Sequence, residues 1–162
     1  EPADILNYTR NEIISRLKKD GSAEGGKDGM DCSLIVLNKE RNQLSYAAAN
    51  NPIWIVRDTI LLEFAPDKMP VGKHEKDQIP FTQHNIDLKS GDVVYTLTDG
   101  MADQFGGPKG KKFMYKQLKE LLVSIAHLPT KDQHERLYNS LKNWRGNLEQ
   151  VDDVCLIGIR IG

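Results

Sequence analysis

A carboxylate that ends a buried strand is held on a rigid element and faces whatever lies beyond the sheet edge. That position suits a metal ligand or an acid–base group. Residues 91–105, GDVVYTLTDGMADQF, carry this pattern. After the turn pair Gly91-Asp92, residues 93–98 are uninterruptedly apolar or β-branched, as in a strand buried on both faces, and the run stops at Asp99-Gly100. Asp-Gly is also a common turn dipeptide, and taken alone the stretch reads as one.

A second stretch changes the balance. Residues 150–161, QVDDVCLIGIRI, reverse the order: Asp152-Asp153 first, then an apolar run over 154–161. Adjacent carboxylates raise one another's pKa unless positive charge sits nearby. If the two buried strands pair antiparallel, Asp99 and Asp152 arrive at the same sheet edge. Oxygen-only ligands of that kind suit magnesium or manganese rather than zinc.

The elements that must position these carboxylates follow from the remaining pattern. Residues 2–19 read as a helix with Leu6, Ile13, Ile14 and Leu17 on one face, and Asp20-Gly21 end it. Residues 22–29 (SAEGGKDG) are a glycine-rich loop. Strands follow at 30–38, 43–49, 53–57 and 60–64, separated by a turn at 39–42, the break Asn50-Asn51-Pro52 and a tight turn near Asp58-Thr59. With no helix between them they form an antiparallel meander. Residues 66–77 are a charged Pro/Gly loop, and residues 79–88 a further strand. Beyond Asp99 come a basic loop at 106–112 (GGPKGKK) and two helices. The first carries Leu118, Leu121, Leu122 and Ile125 on one side. The second starts at Thr130 with Gln133 in capping-box spacing, carries Leu137, Leu141 and Trp144, and ends at Gly146. Strands from both ends of the chain are expected to share a sheet, in a single α+β domain over 1–162.

The totals narrow the function. The 162 residues suffice for one domain, and 22 basic against 23 acidic residues leave a net charge of −1, with no electrostatic footprint for nucleic acid. No apolar run is long enough to span a bilayer, and no signal peptide is visible. Cys32 and Cys155 lie in strand-like runs and read as buried hydrophobes in a reducing, cytoplasmic compartment. The GGPKGKK loop fails as a P-loop on spacing, so a nucleotide-binding reading is poor. His74, His84, His127 and His134 lack metal-ligand spacing, there is no G-x-S-x-G, and Cys32 has no activating basic neighbour.

In order and spacing, MDCSLIVLNKERNQLSYAAANNPIWIVR, MPVG, GDVVYTLTDGMADQFGG and QVDDVCLIGIRI resemble the stage II sporulation protein E type of metal-dependent serine/threonine phosphatase. This is a bacterial branch of the PPM superfamily, and the resemblance runs from about Pro2 to the end. It implies a β-sandwich of mainly antiparallel strands flanked by helices, with two Mn2+ or Mg2+ ions at one end. It also implies hydrolysis of phosphoserine or phosphothreonine by a metal-activated water. By position, Asp99 with Gly100 matches the family's Asp-Gly metal-site pair, Asp152 matches the aspartate of its last motif, and Asp153 is a neighbour of that ligand. Asp28 stands where relatives often carry an acidic residue.

The family's first motif, a strand ending in Asp followed by Gly-His-Gly, has no counterpart here. The resemblance therefore implies an N-terminally truncated domain, cut from a longer protein, that lacks one bridging ligand and is expected to self-associate. The expected parent is a signalling protein with an upstream sensor or receiver domain, possible membrane anchorage, and a phosphorylated anti-sigma-factor antagonist as substrate. The alternative from another class is a phosphatase-fold module that binds a partner without catalysis.

Overall fold

The computed structural model describes residues 1–17 and 28–162. In chain order the elements begin with α1 (Pro2–Leu17), β1 (Gly29–Met30), β2 (Cys32–Asn38), β3 (Gln43–Ala49), β4 (Ile53–Arg57) and β5 (Ile60–Phe64). They continue with β6 (Val71–Gly72), β7 (His84–Asp87), β8 (Val93–Leu97) and α2 (Gly100–Asp103). The last are β9 (Phe105–Gly106), β10 (Lys111–Lys112), α3 (Met114–Ile125), α4 (Thr130–Arg145) and β11 (Leu156–Arg160). The expected end of the first helix and the glycine-rich loop fall outside the described residues over 18–27. The chain divides into two compact units, Glu1–Ile53 with Phe64–Lys89, and Trp54–Glu63 with Ser90–Gly162.

In the first unit β2, β3 and β7 form an antiparallel sheet, with Leu37 opposite Leu44 and Tyr46 opposite His84. The β2–β3 turn places Asn42 at φ 47°, a left-handed conformation that Asn tolerates. Ala47 and Ala49 are fully buried, and these small side chains share a core with Ala3 and Leu6 of α1 and with Met69, Val71 and Phe81. The buried residues of α1 are Pro2, Ala3, Leu6 and Arg10; of the expected stripe Leu6 is in the core, Ile13 packs half-buried against it, and Ile14 and Leu17 are half-buried. Arg10 is 4% exposed, lies over the Phe81 ring at 4.8 Å and donates to Asn7 Oδ1 at 3.1 Å. Burial lowers its pKa, with Asp77 and Asp67 opposing.

The expected strand over 79–88 shrinks to His84–Asp87. Pro80 has no N–H to give a ladder, and Phe81 turns into the core while its N–H donates to Asn7 Oδ1 at 2.9 Å. Conversely, the charged loop over 66–77 contains β6, which pairs with β1.

In the second unit the sheet order is β11-β8-β4-β5. The β4–β5 turn has Asp58 and Thr59 both at positive φ (47° and 66°), the geometry of tight hairpins. Trp54, Val93, Tyr95 and Leu97 from the sheet pack with Met101 of α2 and with Leu118 and Leu122 of α3. As expected, strands from both halves of the chain share a sheet, since β11 and β8 lie with β4 and β5, but β2 and β3 are not in it and pair with β7 instead. Nor is β11 buried as its apolar run suggested. It is the edge strand, and Ile157 is 52% exposed. Cys32 is half-buried and Cys155 exposed, so the reading of both as buried hydrophobes does not hold.

Two polar networks support this unit. Asp92, expected in a turn, is 1% exposed and is bound by Arg57, Nε to Oδ1 at 2.9 Å and Nη2 to Oδ2 at 2.6 Å. Gln133 is not a capping-box residue: Pro129 is the N-cap, and Gln133 is buried. It accepts from the Tyr95 hydroxyl at 2.6 Å and donates to the Leu128 carbonyl at 2.9 Å. Arg160 donates to the carbonyls of Ala126 and Leu128 at 2.6 and 2.7 Å, satisfying groups that the end of α3 leaves open. Gly146 ends α4 at φ 56°, its N–H donating to the Lys142 carbonyl.

Candidate functional site

The antiparallel pairing inferred from sequence is present. β8 and β11 run opposed with Leu97 against Leu156, and the N–H of Thr98 continues the ladder to the Cys155 carbonyl at 2.9 Å. Asp99 leaves the end of β8, and Asp152-Asp153 lead into β11 beside it.

Both neighbours of Asp99 hold the two segments together. On one side, Thr98 Oγ1 donates to the Asp153 carbonyl at 3.1 Å and accepts from the Cys155 N–H at 3.0 Å. On the other, Gly100 has no room for a side chain: an added Cβ would lie 2.9 Å from the Asp153 carbonyl carbon and closer still to its oxygen. The glycine therefore serves close backbone approach, not only a turn. Thr-Asp-Gly is thus a clasp whose outer residues grip the 153–155 backbone and whose central residue carries the free carboxylate.

The three carboxylates are placed differently. Asp99 is exposed, at the N-cap of α2 without making a side-chain cap. Asp152 is exposed, and its Oδ1 accepts from the Asp153 N–H at 2.7 Å. Asp153 brings its main chain, not its carboxylate, to the clasp. Asp28 lies in the first unit and is exposed.

The electrostatics around Asp99 are negative. The Tyr115 phenol is pushed up first by burial and then by the charges of Asp99, Asp103 and Glu63. Two of these charges are neutralised locally, Asp103 by Lys112 at 3.1 Å and Glu63 by Lys119 at 2.6 Å. Among the described residues no cation pairs with Asp99. A carboxylate left without a cation, beside the backbone segment that carries two further carboxylates, fits a hard divalent ion in donor type. In number the set is partial, because no three such side chains group together among the described residues.

Gln104 is a positioning residue that sequence reasoning missed. It is fully buried; its Nε2 donates to the carbonyls of Phe105 and Glu149, both at 2.9 Å, and its Oε1 accepts from the Val151 N–H at 3.4 Å. Its own carbonyl accepts from Phe113 N–H and Trp144 Nε1. One amide thus ties the segment after α2 to the segment before Asp152. A polar residue closing an apolar stretch gave no periodic signal for this.

Comparison with known proteins now has a geometry to meet. The family model described as stage II sporulation protein E (SpoIIE) matches residues 1–162. No curated protein sequence matches significantly. The chain is similar to the SiaA-PP2C domain of Pseudomonas aeruginosa at 25% identity and a TM-score of 0.88, covering 100% of this chain and 61% of that one. It thus spans about three fifths of that relative's length. It is also similar to the phosphatase domain of the cell fate determinant SpoIIE from Bacillus subtilis, at 16% identity and a TM-score of 0.61, covering 99% of this chain and 73% of that one. A third similarity is to the catalytic domain of the serine/threonine protein phosphatase PstP, in complex with 2 manganese ions, at 14% identity and a TM-score of 0.61, covering 92% and 65%. The antiparallel sheets and helices therefore form the α+β fold of PP2C-type phosphatase domains.

Proposed function

Since this chain belongs to the stage II sporulation protein E family, we propose that it is the metal-dependent phosphatase domain of a bacterial signalling protein, hydrolysing phosphoserine or phosphothreonine in a phosphorylated antagonist of an anti-sigma factor. One observation carries the reading: the Thr98–Asp99–Gly100 clasp fixes an unneutralised carboxylate against the backbone that presents Asp152 and Asp153. Asp99 and Asp152 would hold the cations, with Gly100 and Asp153 shaping the cradle. When bound, Mn2+ or Mg2+ supplies Lewis-acid charge for the phosphoryl oxygens and lowers the pKa of the attacking water.

This chain's own residues do the positioning. Thr98 and Gly100 set the spacing between the two acidic segments, and Gln104 keeps the 149–151 backbone from drifting. The proposed setting is cytoplasmic, with an upstream sensor or receiver domain and a parent that is soluble or membrane-anchored. Among the described residues no helix is long and apolar enough to cross a membrane. The edge strand β11, with Ile157 exposed, supports self-association by strand pairing.

A second reading, a non-catalytic partner-binding module, is favoured by the absence of a three-ligand group among the described residues. Manganese-dependent hydrolysis of p-nitrophenyl phosphate separates the two, run on this chain and on a version extended before Glu1. Hydrolysis abolished by Asp99→Asn supports the phosphatase. A folded protein with neither hydrolysis nor stabilisation by manganese, in both forms, supports the binding module.

A further inference from the structure

The basic loop that failed as a P-loop is a built structure. Gly110 N–H donates to the Gly107 carbonyl at 3.2 Å and closes the β9–β10 turn, and Gly107 N–H donates to the Trp144 carbonyl at 2.7 Å. Added Cβ atoms at Gly106 and Gly107 would meet the Trp144 backbone and ring at 2.5 Å and 2.6 Å. The hairpin is therefore seated on Trp144 with no space between them. Beside it lies a cavity of about 680 Å3 with Phe105, Pro108, Met114 and Trp144 among its lining residues. Lys109, Lys111 and Lys112 also line it, and no acidic residue does.

The lysines are not equivalent. Lys112 is paired with Asp103, whereas Lys109 and Lys111 are exposed and have no ion-pair partner among the described residues. Met114 stands at φ 71°, a conformation that unbranched L side chains avoid, with 56% of its surface exposed. A long apolar side chain is thus held on the cavity wall at some backbone strain. The hairpin and the candidate site share one support, because Gln104 fixes the start of β9 to the segment before Asp152.

We propose that the β9–β10 hairpin and the start of α3 form a docking surface for an acidic segment of the phosphoprotein substrate, which inserts one apolar side chain among Phe105, Met114 and Trp144 while Lys109 and Lys111 take its carboxylates. The assignment of that segment to a substrate rests on the phosphatase reading above. Charge complementarity commits the surface to an anionic occupant. The apolar cavity and only two unengaged lysines, on a chain of net charge −1, favour a peptide over nucleic acid, which takes an extended basic stripe. A hairpin already locked on Trp144 has little ordering left to lose on binding.

Fluorescence anisotropy with short labelled, unphosphorylated peptides tests this. An acidic peptide with one leucine should bind. Replacing its carboxylates by amides, or its leucine by serine, should weaken binding about fivefold each. Lys109→Glu with Lys111→Glu should weaken it similarly, and Met114→Glu should too. Lys39→Glu with Lys131→Glu, an equal change in net charge, should not. The charge-dependent part should vanish at 1 M salt, where the screening length is about 3 Å. Circular dichroism and thermal melts check that each variant is folded. Equal binding of the amide peptide, tighter binding of an RNA of the same charge, or indifference to the paired lysine reversal overturns the docking surface. Selective binding by a protein that hydrolyses no p-nitrophenyl phosphate, either as this chain or extended before Glu1, refutes the catalytic reading, and with it the assignment to a substrate.

Discussion

Replacing Gly100 by alanine tests the clasp directly. The added methyl would sit 2.9 Å from the Asp153 carbonyl carbon and nearer its oxygen, where ordinary contacts begin at 3.4 Å. The carbon must therefore retreat by about 0.5 Å, and the oxygen by more. That oxygen is the acceptor for Thr98 Oγ1, so the retreat stretches a 3.1 Å hydrogen bond and moves Asp152-Asp153 away from Asp99. Backbone atoms cannot rotate aside as a flexible side chain would. Overpacking of this kind destabilises by about 1–3 kcal/mol. A displacement approaching 1 Å at a reacting centre costs up to about a hundredfold in rate. We expect kcat/KM for p-nitrophenyl phosphate to fall about ten- to a hundredfold, corresponding to roughly 1.4–2.7 kcal/mol of transition-state stabilisation. The midpoint of manganese-induced thermal stabilisation should move to higher concentration in parallel. The assay compares wild type, Gly100→Ala and Asp99→Asn at saturating manganese. A Gly100→Ala protein with wild-type kcat/KM and wild-type response to manganese would refute the argument that close approach of the 153 backbone sets the site.

Two further outcomes follow from the supports of the same unit. Arg57→Met removes the guanidinium from Asp92, whose side chain is 1% exposed, and should destabilise by about 3–5 kcal/mol in urea unfolding. Adding Asp92→Leu should recover much of that loss. Burial pushes the Tyr95 phenol up to about 12, with Arg160 opposing. The folded state therefore keeps a proton that the unfolded chain releases near pH 10, so the stability is fully present below pH 10 and falls between 10 and 12. The loss is about 2–3 kcal/mol, and Tyr95→Phe should flatten that part of the stability–pH curve. An unchanged slope in the phenylalanine variant would reject the buried Tyr95 phenol as its source.

Much of this was legible in the order of residues, for identifiable reasons. The 43–49, 53–57 and 60–64 strands appear with the expected bounds, because alternation and turn residues are local properties. The Gly146 stop was equally local. The opposed strands bearing Asp99 and Asp152 were readable because the run ends in a carboxylate once and begins with one once. Errors came where burial is decided by a neighbour. An apolar run such as β11 reads as interior, yet a strand at a sheet edge is covered on fewer sides, and Ile157 is exposed. Gln133 matched a capping spacing but is used by Tyr95, a partner 38 positions away.

Residue type and short spacing were enough to read the kinds of element, the two acidic segments and their oxygen-donor chemistry. Long-range packing is what makes Gly100 a close contact as well as a turn, lets Gln104 join the two segments, buries Asp92 as an ion-pair partner, and presses the GGPKGKK hairpin onto Trp144. Each of these depends on which backbone atoms meet across the fold. Close approach leaves no trace in periodicity, because a glycine or glutamine looks the same in sequence whether it faces water or a carbonyl a few ångströms away.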